Sequence, residues 1–301
     1  MTAGGRLARI LSSGAFAVTG EIVPPRSGSG VMVTEHARAL VGSVDAVNLN
    51  DNPTASAHMS PLAGVRFVSE AGIEPTVQLT CRDRNRLGIT ADLLGAWALG
   101  ARNVFCLTGD PIGVGDHPDA AVVHDLEVTD VVSLARRMRE EGTTLAGKEI
   151  ADPPRYLIGV ADVPLEKPYD PSKLESKLDA GADFVITQIA YDVEALAAWA
   201  DTMRARGLFE RAKVLIGVTP LRSEKQARFM DERLPGVRVP EAMVQVVASG
   251  GEEAGFALTV DVVGAIRSIE GVSGVHLMGL GRDDIIRRVV EAAGLFPRPT
   301  G

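Results

Sequence analysis

The stretch DPSKLESKLDAGADFVITQ, residues 170–188, contains the structural unit from which this chain is built. It opens with an aspartate and a proline, a pair typical of a helix start, because aspartate caps free N–H groups and proline tolerates the first helical position. Gly181 closes the helical pattern, as glycine often does. The apolar run Phe184–Gln188 that follows has the length of a buried strand. The stretch therefore predicts a helix over Pro171–Ala180 followed directly by a strand.

The same alternation of strand and helix patterns runs along the whole chain. The predicted strands are Ala15–Val23, Ala46–Leu49, Thr76–Thr80, Asn103–Leu107, Tyr156–Val160, Phe184–Gln188, Lys213–Val218 and Gly274–Leu280. The predicted helices are Val33–Val41, Leu62–Ala71, Thr90–Leu99, Thr129–Glu141, Pro171–Ala180, Val193–Arg206, Ser223–Leu234 and Asp283–Ala293, with extra helices over Glu241–Ala248 and Glu253–Ile269 before the last strand. Eight such pairs predict a single (β/α)8 TIM barrel over residues 1–301, with loops at its C-terminal face carrying the chemistry.

Composition and charge narrow the function classes. The 301 residues are 46% hydrophobic, enough for a large core, and the net charge of -8 argues against nucleic acid or an anionic membrane as a partner. No apolar run reaches the roughly 18 residues of a membrane span, and the first residues lack the features of a signal peptide. Cys81 and Cys106 lie in apolar runs without metal-ligand spacing, so we expect free buried thiols, no metal site and a cytoplasmic protein.

Glu21 is the most informative single residue. It stands near the end of the first predicted strand, among apolar residues and just before two prolines. Burial favours the neutral form of a carboxylic acid, so we expect a raised pKa and a role as general acid. A structural ion pair with a nearby Arg or Lys is the alternative interpretation.

Polar residues follow every predicted strand, and in a barrel these ends meet at one mouth. In chain order they are Glu21, Asn48, Asn50, Gln78, Thr80, Thr108, Asp110, Asp162, Thr187, Gln188, Thr219 and Arg282. Neutral amides suit a heterocycle, a carboxylate suits an amidine-like edge, and an arginine suits a carboxylate tail. Each residue alone has the alternative of being a solvated loop residue, and we interpret His276, in the last strand, as a core residue.

Six short motifs, in the same order, resemble those of the methylenetetrahydrofolate reductases over nearly the whole chain. They are Glu21–Arg26, Leu79–Cys81, Leu107–Asp110, Asp179–Gln188, Thr219-Pro220 with Lys225–Ala227, and Val237–Pro240. This family is a (β/α)8 barrel that reduces 5,10-methylenetetrahydrofolate to 5-methyltetrahydrofolate, which implies a place in one-carbon metabolism and methionine biosynthesis.

The resemblance implies roles for individual residues. Glu21 corresponds to the acid that helps to open the imidazolidine ring, and Asp110 lies beside the pterin and the redox ring. Gln188 binds the pterin and Arg282 the glutamate tail, with Thr108 and Thr219 as further substrate-binding residues. The residues expected at the redox cofactor are Asn48, Gln78, Thr80, Asp162 and Lys177.

Five departures from the family pattern fall on flavin contacts. Thr108 replaces an arginine, and Gln78 replaces a histidine. The stretch Gly159–Pro164 has lost a tyrosine and a histidine, Lys177 has a serine instead of a second basic residue beside it, and an aromatic residue is missing after strand seven. The folate contacts are kept. We therefore expect NADH to reduce the folate directly, with FAD absent.

Four alternatives remain open from the sequence. The enzyme could hold FAD through substituted contacts, or take its hydride from a deazaflavin. A methyl-transfer subunit would need a corrinoid or zinc-thiolate centre, which Cys81 and Cys106 do not offer. A folate-binding protein without catalysis would have no need of Glu21.

Overall fold

The computed structural model describes residues 4–300 and contains a closed barrel of eight parallel strands in sequence order. The strands are β1 (Ala17–Ile22), β2 (Ala46–Leu49), β3 (Pro75–Thr80), β4 (Asn103–Leu107), β5 (Leu157–Asp162), β6 (Phe184–Ile189), β7 (Lys213–Val218) and β8 (Val272–Leu277). Pairing of β1 with β8 closes the barrel. The predicted fold class is confirmed.

Helices surround the barrel. They are α1 (Arg6–Ser13), α2 (Val31–Leu40), α3 (Pro61–Glu70), α4 (Arg86–Ala98), α5 (Val128–Glu141), α6 (Pro171–Ala180), α7 (Val193–Ala205), α8 (Leu208–Arg211), α9 (Glu224–Arg233), α10 (Glu241–Arg267) and α11 (Asp283–Ala292). The main core lies between the strands and this outer layer. Within residues 4–300, no helix has both the length and the apolar character needed to cross a bilayer.

Two helices were not expected from the sequence. The short α8 precedes β7, and α1 precedes β1. Leu7, Ile10 and Leu11 of α1 are fully buried, in one cluster with the barrel-interior residues Phe105 and Phe184. Helix α1 therefore covers apolar side chains inside the barrel, and its role depends on contacts that are distant in the chain.

Some boundaries of helices and strands differ from the predicted ones. Helix α4 begins four residues earlier than the predicted Thr90, because the Asn85 side chain accepts a hydrogen bond from the backbone N–H of Gly88 at 3.0 Å. The two extra helices before the last strand form α10, which is broken at Gly251, where φ is 64° and ψ is -151°. Strand β8 ends at Leu277, three residues before the predicted end, and Leu280 then takes a positive φ of 49°.

The strand register brings side chains from distant parts of the chain to the barrel mouth. Glu21 of β1 pairs with Asn48 of β2, and Thr19 of β1 pairs with His276 of β8. Alternate residues of a strand point to the same face, so Thr19 and Glu21 share a face. This register fixes which polar groups meet at the candidate site.

Candidate active site

A cavity of about 510 Å³ opens at the C-terminal ends of the strands. Its lining includes most of the residues predicted as site residues, namely Glu21, Asn48, Gln78, Thr80, Thr108, Asp110, Asp162, Lys177 and Gln188. Apolar side chains, among them Phe105, Ile186 and Met278, line the same space. A cavity of this volume, lined by both polar and apolar side chains, suits small organic ligands.

Glu21 accepts a hydrogen bond from the neutral side chain of Asn50. Its side chain is 10% exposed, and Oε2 accepts a hydrogen bond from Nδ2 of Asn50 at 3.2 Å. Among residues 4–300, no Lys or Arg nitrogen lies within 4.0 Å of this carboxylate, so the alternative of a basic ion pair is not realised. Glu21 is therefore placed in the cavity with no Lys or Arg of the described residues in contact with its carboxylate.

His276 stands beside Glu21 and lines the cavity, although the sequence indicated a core residue. Its side chain is 2% exposed, and Nε2 lies 3.9 Å from Oε2 of Glu21. Nδ1 lies 2.8 Å from Oγ1 of Thr19, and this hydrogen bond orients the imidazole so that Nε2 faces the acid. The strand pairing explains why His276 reaches the cavity. His276 pairs with Thr19 of β1, and Thr19 lies two residues before Glu21 on the same face of that strand.

Asp110 lies at the rim and connects two loops. Its Oδ2 accepts a hydrogen bond from the backbone N–H of Thr54 at 2.6 Å, and its side chain lines the cavity. Thr54 has a φ of 53°, and Asn52 and Ala55 also have positive φ values of 46° and 52°. A β-branched residue rarely adopts this conformation, so the loop after β2 is strained where it meets Asp110.

The buried side chain of Arg82 connects the loops that form this rim. It is 2% exposed and donates to both carboxylate oxygens of Asp83 at 2.7 Å, to the Asp110 carbonyl at 3.0 Å and to the Asn52 carbonyl at 3.3 Å. One buried guanidinium therefore connects the loops after β2, β3 and β4. The sequence analysis did not identify Arg82, since a lone arginine in a loop carries no distinctive pattern.

Thr80 is part of a second buried network behind the cavity. Its N–H and its hydroxyl both donate to Oδ2 of Asp51, at 2.8 and 2.9 Å. Asp51 also pairs with Arg84 at 2.6 and 3.0 Å. Thr80 thus lines the cavity while fixing Asp51, which sequence analysis did not single out.

Asp162 and Lys177 lie on the opposite side of the barrel mouth from Glu21. Burial raises the pKa of Asp162 and lowers that of Lys177. The Tyr169 hydroxyl donates to Oδ2 of Asp162 at 3.0 Å, and Nζ of Lys177 donates to the Ala161 carbonyl at 2.6 Å. The two side chains are near enough to interact electrostatically, but the ammonium group of Lys177 donates to a backbone carbonyl and forms no ion pair with Asp162 within 4.0 Å.

The side-chain amides that line the cavity differ in their hydrogen-bond partners. Gln188 accepts from the Ile189 N–H at 2.9 Å and donates to the Pro235 carbonyl at 3.4 Å. Asn48 is 1% exposed, and its Oδ1 has no hydrogen-bond partner among the described residues. Oδ1 of Asn50 is likewise buried without a partner. Two amide oxygens near Glu21 therefore lack the donor that buried oxygens normally have.

Two predicted substrate-binding residues are not brought to the cavity. Thr219 is fully buried and donates to the Met278 carbonyl. Arg282 is 40% exposed and pairs with Asp284 at 3.0 Å and with Glu252 at 3.2 Å. Their substrate-binding role stays a prediction from the motif, without support from their position.

The cysteines do not offer reactive thiolates or a metal centre. Both are free and buried, and burial raises the pKa of Cys81 to about 12 and that of Cys106 further. Within the described part of the chain, no three His, Cys, Asp or Glu side chains are grouped to hold a metal ion.

Comparison with known proteins identifies relatives along nearly the whole chain. A family model described as methylenetetrahydrofolate reductase matches residues 6–294. The 5,10-methylenetetrahydrofolate reductase of Escherichia coli is 26% identical over 307 residues, covering 94% of this chain and 93% of its own. Methylenetetrahydrofolate reductase 1 of Schizosaccharomyces pombe is 23% identical over 300 residues, covering 92% of this chain, which spans 45% of that relative's length.

A solved structure shares the fold. The protein from Clostridium thermocellum described as binding two copies of 5-methyl-5,6,7,8-tetrahydrofolic acid aligns with a TM-score of 0.66 over 96% of this chain and 99% of its own. At 12% identity this similarity concerns the fold alone. The family model, which matches residues 6–294, decides the assignment. This chain belongs to the methylenetetrahydrofolate reductase family of oxidoreductases.

Proposed function

We propose that this protein reduces 5,10-methylenetetrahydrofolate to 5-methyltetrahydrofolate by direct hydride transfer from NADH, without FAD. The observation that carries the proposal is Glu21, a nearly buried acid in the mouth cavity whose partners are Asn50 and His276. Family membership supports the reaction, and the C. thermocellum protein of the same fold binds the proposed product.

The reaction begins with opening of the five-membered ring. Glu21 donates its proton to N10 of the folate as the bond from N10 to the methylene carbon breaks, which leaves a cationic iminium at N5. Asp110, at the rim of the same cavity, stabilises this positive charge electrostatically. His276, with Nε2 3.9 Å from the Glu21 carboxylate, is near enough to return a proton through one water molecule.

Hydride transfer completes the reduction. The hydride leaves C4 of the dihydronicotinamide and bonds to the methylene carbon, so NADH becomes NAD⁺ and the iminium becomes a methyl group. One proton, supplied by Glu21, balances the reaction. Direct transfer needs donor and acceptor carbons at about 3–3.5 Å, and the cavity between Phe105, Ile186 and Met278 offers apolar walls for two adjacent rings.

The charges of the cavity support the absence of a tightly held flavin. Glu21, Asp51, Asp110 and Asp162 line it, and among residues 4–300 Lys177 is the only Lys or Arg in the lining. Lys177 lies beside Asp162 and already donates to a carbonyl. A prosthetic FAD must stay bound over many turnovers and needs cationic partners for its diphosphate. NADH needs to remain for one turnover only and can keep its diphosphate in solvent.

FAD-dependent reduction is the second candidate, and retention of Lys177 favours it. NADH oxidation by purified protein, with methylenetetrahydrofolate and no added flavin, separates the two. We expect turnover without flavin, no stimulation by FAD, and intersecting double-reciprocal lines. A stoichiometric yellow flavin, dependence on FAD, or parallel lines would contradict the proposal.

A further inference from the structure

We propose that a second cavity, beside the mouth cavity, binds the carboxylates of the glutamate tail of the folate through Lys167, Arg233 and Arg238. This inference rests on the proposed function, in which a reduced folate is the substrate. It gives the tail a place that Arg282 does not offer, since Arg282 pairs with two acids outside the mouth cavity.

The second cavity has a volume of about 530 Å³ and is lined by residues 165–167 and 231–238. The first segment belongs to the loop after β5, and the second contains the end of α9 and the residues that follow it. Leu165 and Val237, one from each segment, are 6% and 4% exposed and belong to the main core. Both walls of the cavity are therefore anchored to the barrel.

The two cavities share a wall. Val163 and Gln188 line the mouth cavity, and Pro235 and Gly236 line the second one. Nε2 of Gln188 donates to the Pro235 carbonyl at 3.4 Å. A Cβ atom at Gly236 would lie 2.1 Å from Cγ1 of Val163, so glycine, with a φ of 74°, allows this close approach. A ligand in the mouth cavity therefore needs to cross only this wall to reach the second cavity.

Three cations of the second cavity have no protein partner. Lys167, Arg233 and Arg238 are exposed and line the cavity from its two walls. Among residues 4–300, none of these side chains forms a hydrogen bond or lies within 4.0 Å of a carboxylate, whereas the lysine nearest in sequence, Lys173, pairs with Glu166 at 3.1 Å. Their positive charges are therefore available to an anionic ligand.

The acids of the same cavity are mostly engaged. Glu166 pairs with Lys173, and Asp231 accepts a hydrogen bond from the backbone N–H of Val239 at 2.9 Å. Glu232 is exposed and has no side-chain partner in the described part of the chain. Three cations without a protein partner thus face one acid without a partner.

The chemistry of this cavity suits a chain of carboxylates. Guanidinium groups bind carboxylates through two parallel hydrogen bonds, and a lysine ammonium binds them as a point charge. The mouth cavity has the opposite balance, because four acids and one lysine line it and would repel an acidic tail. We therefore expect the pterin to stay in the mouth cavity while the tail crosses the shared wall.

Calorimetric titration with 5-methyltetrahydropteroyl triglutamate and with 5-methyltetrahydropteroate, which lacks the tail, tests the inference. We expect the wild-type protein to bind the triglutamate about 30-fold more tightly, about 3-fold for each of three exposed ion pairs. Lys167→Met, Arg233→Met and Arg238→Met should each lower this ratio about 3-fold, and the triple variant should bring it below about 2-fold. Affinity for the pteroate should keep its wild-type value, which also shows that each variant is folded.

Arg267→Met, at the exposed end of α10, is the matched control, because it removes a charge that also has no partner among the described residues. It should leave the ratio unchanged. Equal affinity of the wild-type protein for both ligands would overturn the inference without any variant. A triple variant that keeps the wild-type ratio would also overturn it.

The dinucleotide diphosphate is the other polyanion of the proposed reaction, so the triple variant is also titrated with NADH. We expect its affinity for NADH to match that of the wild-type protein, and a selective loss would overturn the inference by assigning the cavity to the diphosphate. A protein that binds both folates equally and still oxidises NADH with methylenetetrahydrofolate would leave the proposed function intact. Absence of binding of either folate would overturn both.

Discussion

Replacement of Glu21 by glutamine tests the proposed acid with little change in shape. Glutamine has nearly the same volume, and its Oε1 can still accept the hydrogen bond that Asn50 donates at 3.2 Å. Its amide cannot supply a proton to N10. The substitution therefore removes the chemical function of the side chain while keeping its packing against the barrel mouth.

The expected loss follows from the role of a general acid. Such groups contribute about 10²–10⁴ in rate, so we expect kcat to fall about 10³-fold, or about 4 kcal/mol in activation free energy. Folate affinity should change less than about 3-fold, because the pterin contacts proposed for Asp110 and Gln188 do not involve Glu21. The pattern is a loss in kcat with KM nearly kept.

Steady-state oxidation of NADH with methylenetetrahydrofolate measures kcat, and calorimetric titration with the folate measures affinity. Glu35→Gln, on the exposed surface of α2, is the matched control and should behave like the wild-type protein. A kcat for Glu21→Gln within tenfold of the wild-type value would refute the acid role. A large loss of folate affinity would instead assign Glu21 to binding.

Three further substitutions test the surroundings of the site. Arg82→Met should lower the free energy of unfolding in urea by about 2 kcal/mol, because it removes the buried guanidinium that donates to the partly exposed Asp83 carboxylate and to two backbone carbonyls, whereas the exposed Arg66→Met should not; equal stability would contradict the bridging role. Burial raises the pKa of Asp162, so the folded protein binds that proton more tightly and loses stability as pH rises from the ordinary aspartate pKa to the folded one. Asp162→Asn should therefore gain stability over the wild-type protein across that window, by about 1.4 kcal/mol per pH unit, and a difference independent of pH would argue against this. Arg282→Ala should change KM for the folate less than about 2-fold, since Arg282 pairs with Glu252 outside the cavity; a tenfold rise would restore the tail-binding role.

Local sequence patterns predicted the barrel because each strand and helix is encoded within a short window. The strands β2, β4 and β7 have the predicted boundaries, as their apolar runs end at clear polar positions. Glu21 could be identified since a carboxylate in an apolar run is itself unusual. Helix α1 could not, because only the barrel end that it covers explains its apolar residues.

The contacts within the site depend on register, which no short window contains. His276 reaches Glu21 because β8 pairs with β1, strands separated by most of the chain. Arg282 lies close to strand β8 in sequence, but the positive φ of Leu280 and Gly281 and the nearby acids direct it away from the cavity. The unpartnered oxygen of Asn48 becomes visible only when all neighbouring donors are placed.

The most direct test of hydride transfer from nicotinamide to folate uses NADH carrying deuterium at the transferred C4 position. The product of a single turnover in ordinary water is analysed by mass spectrometry for deuterium in the new methyl group. Direct transfer predicts one deuterium in every methyl group, with no loss when the folate is added late. Loss of the label to solvent, as expected if a reduced flavin exchanges its hydrogen before passing it on, would contradict the account.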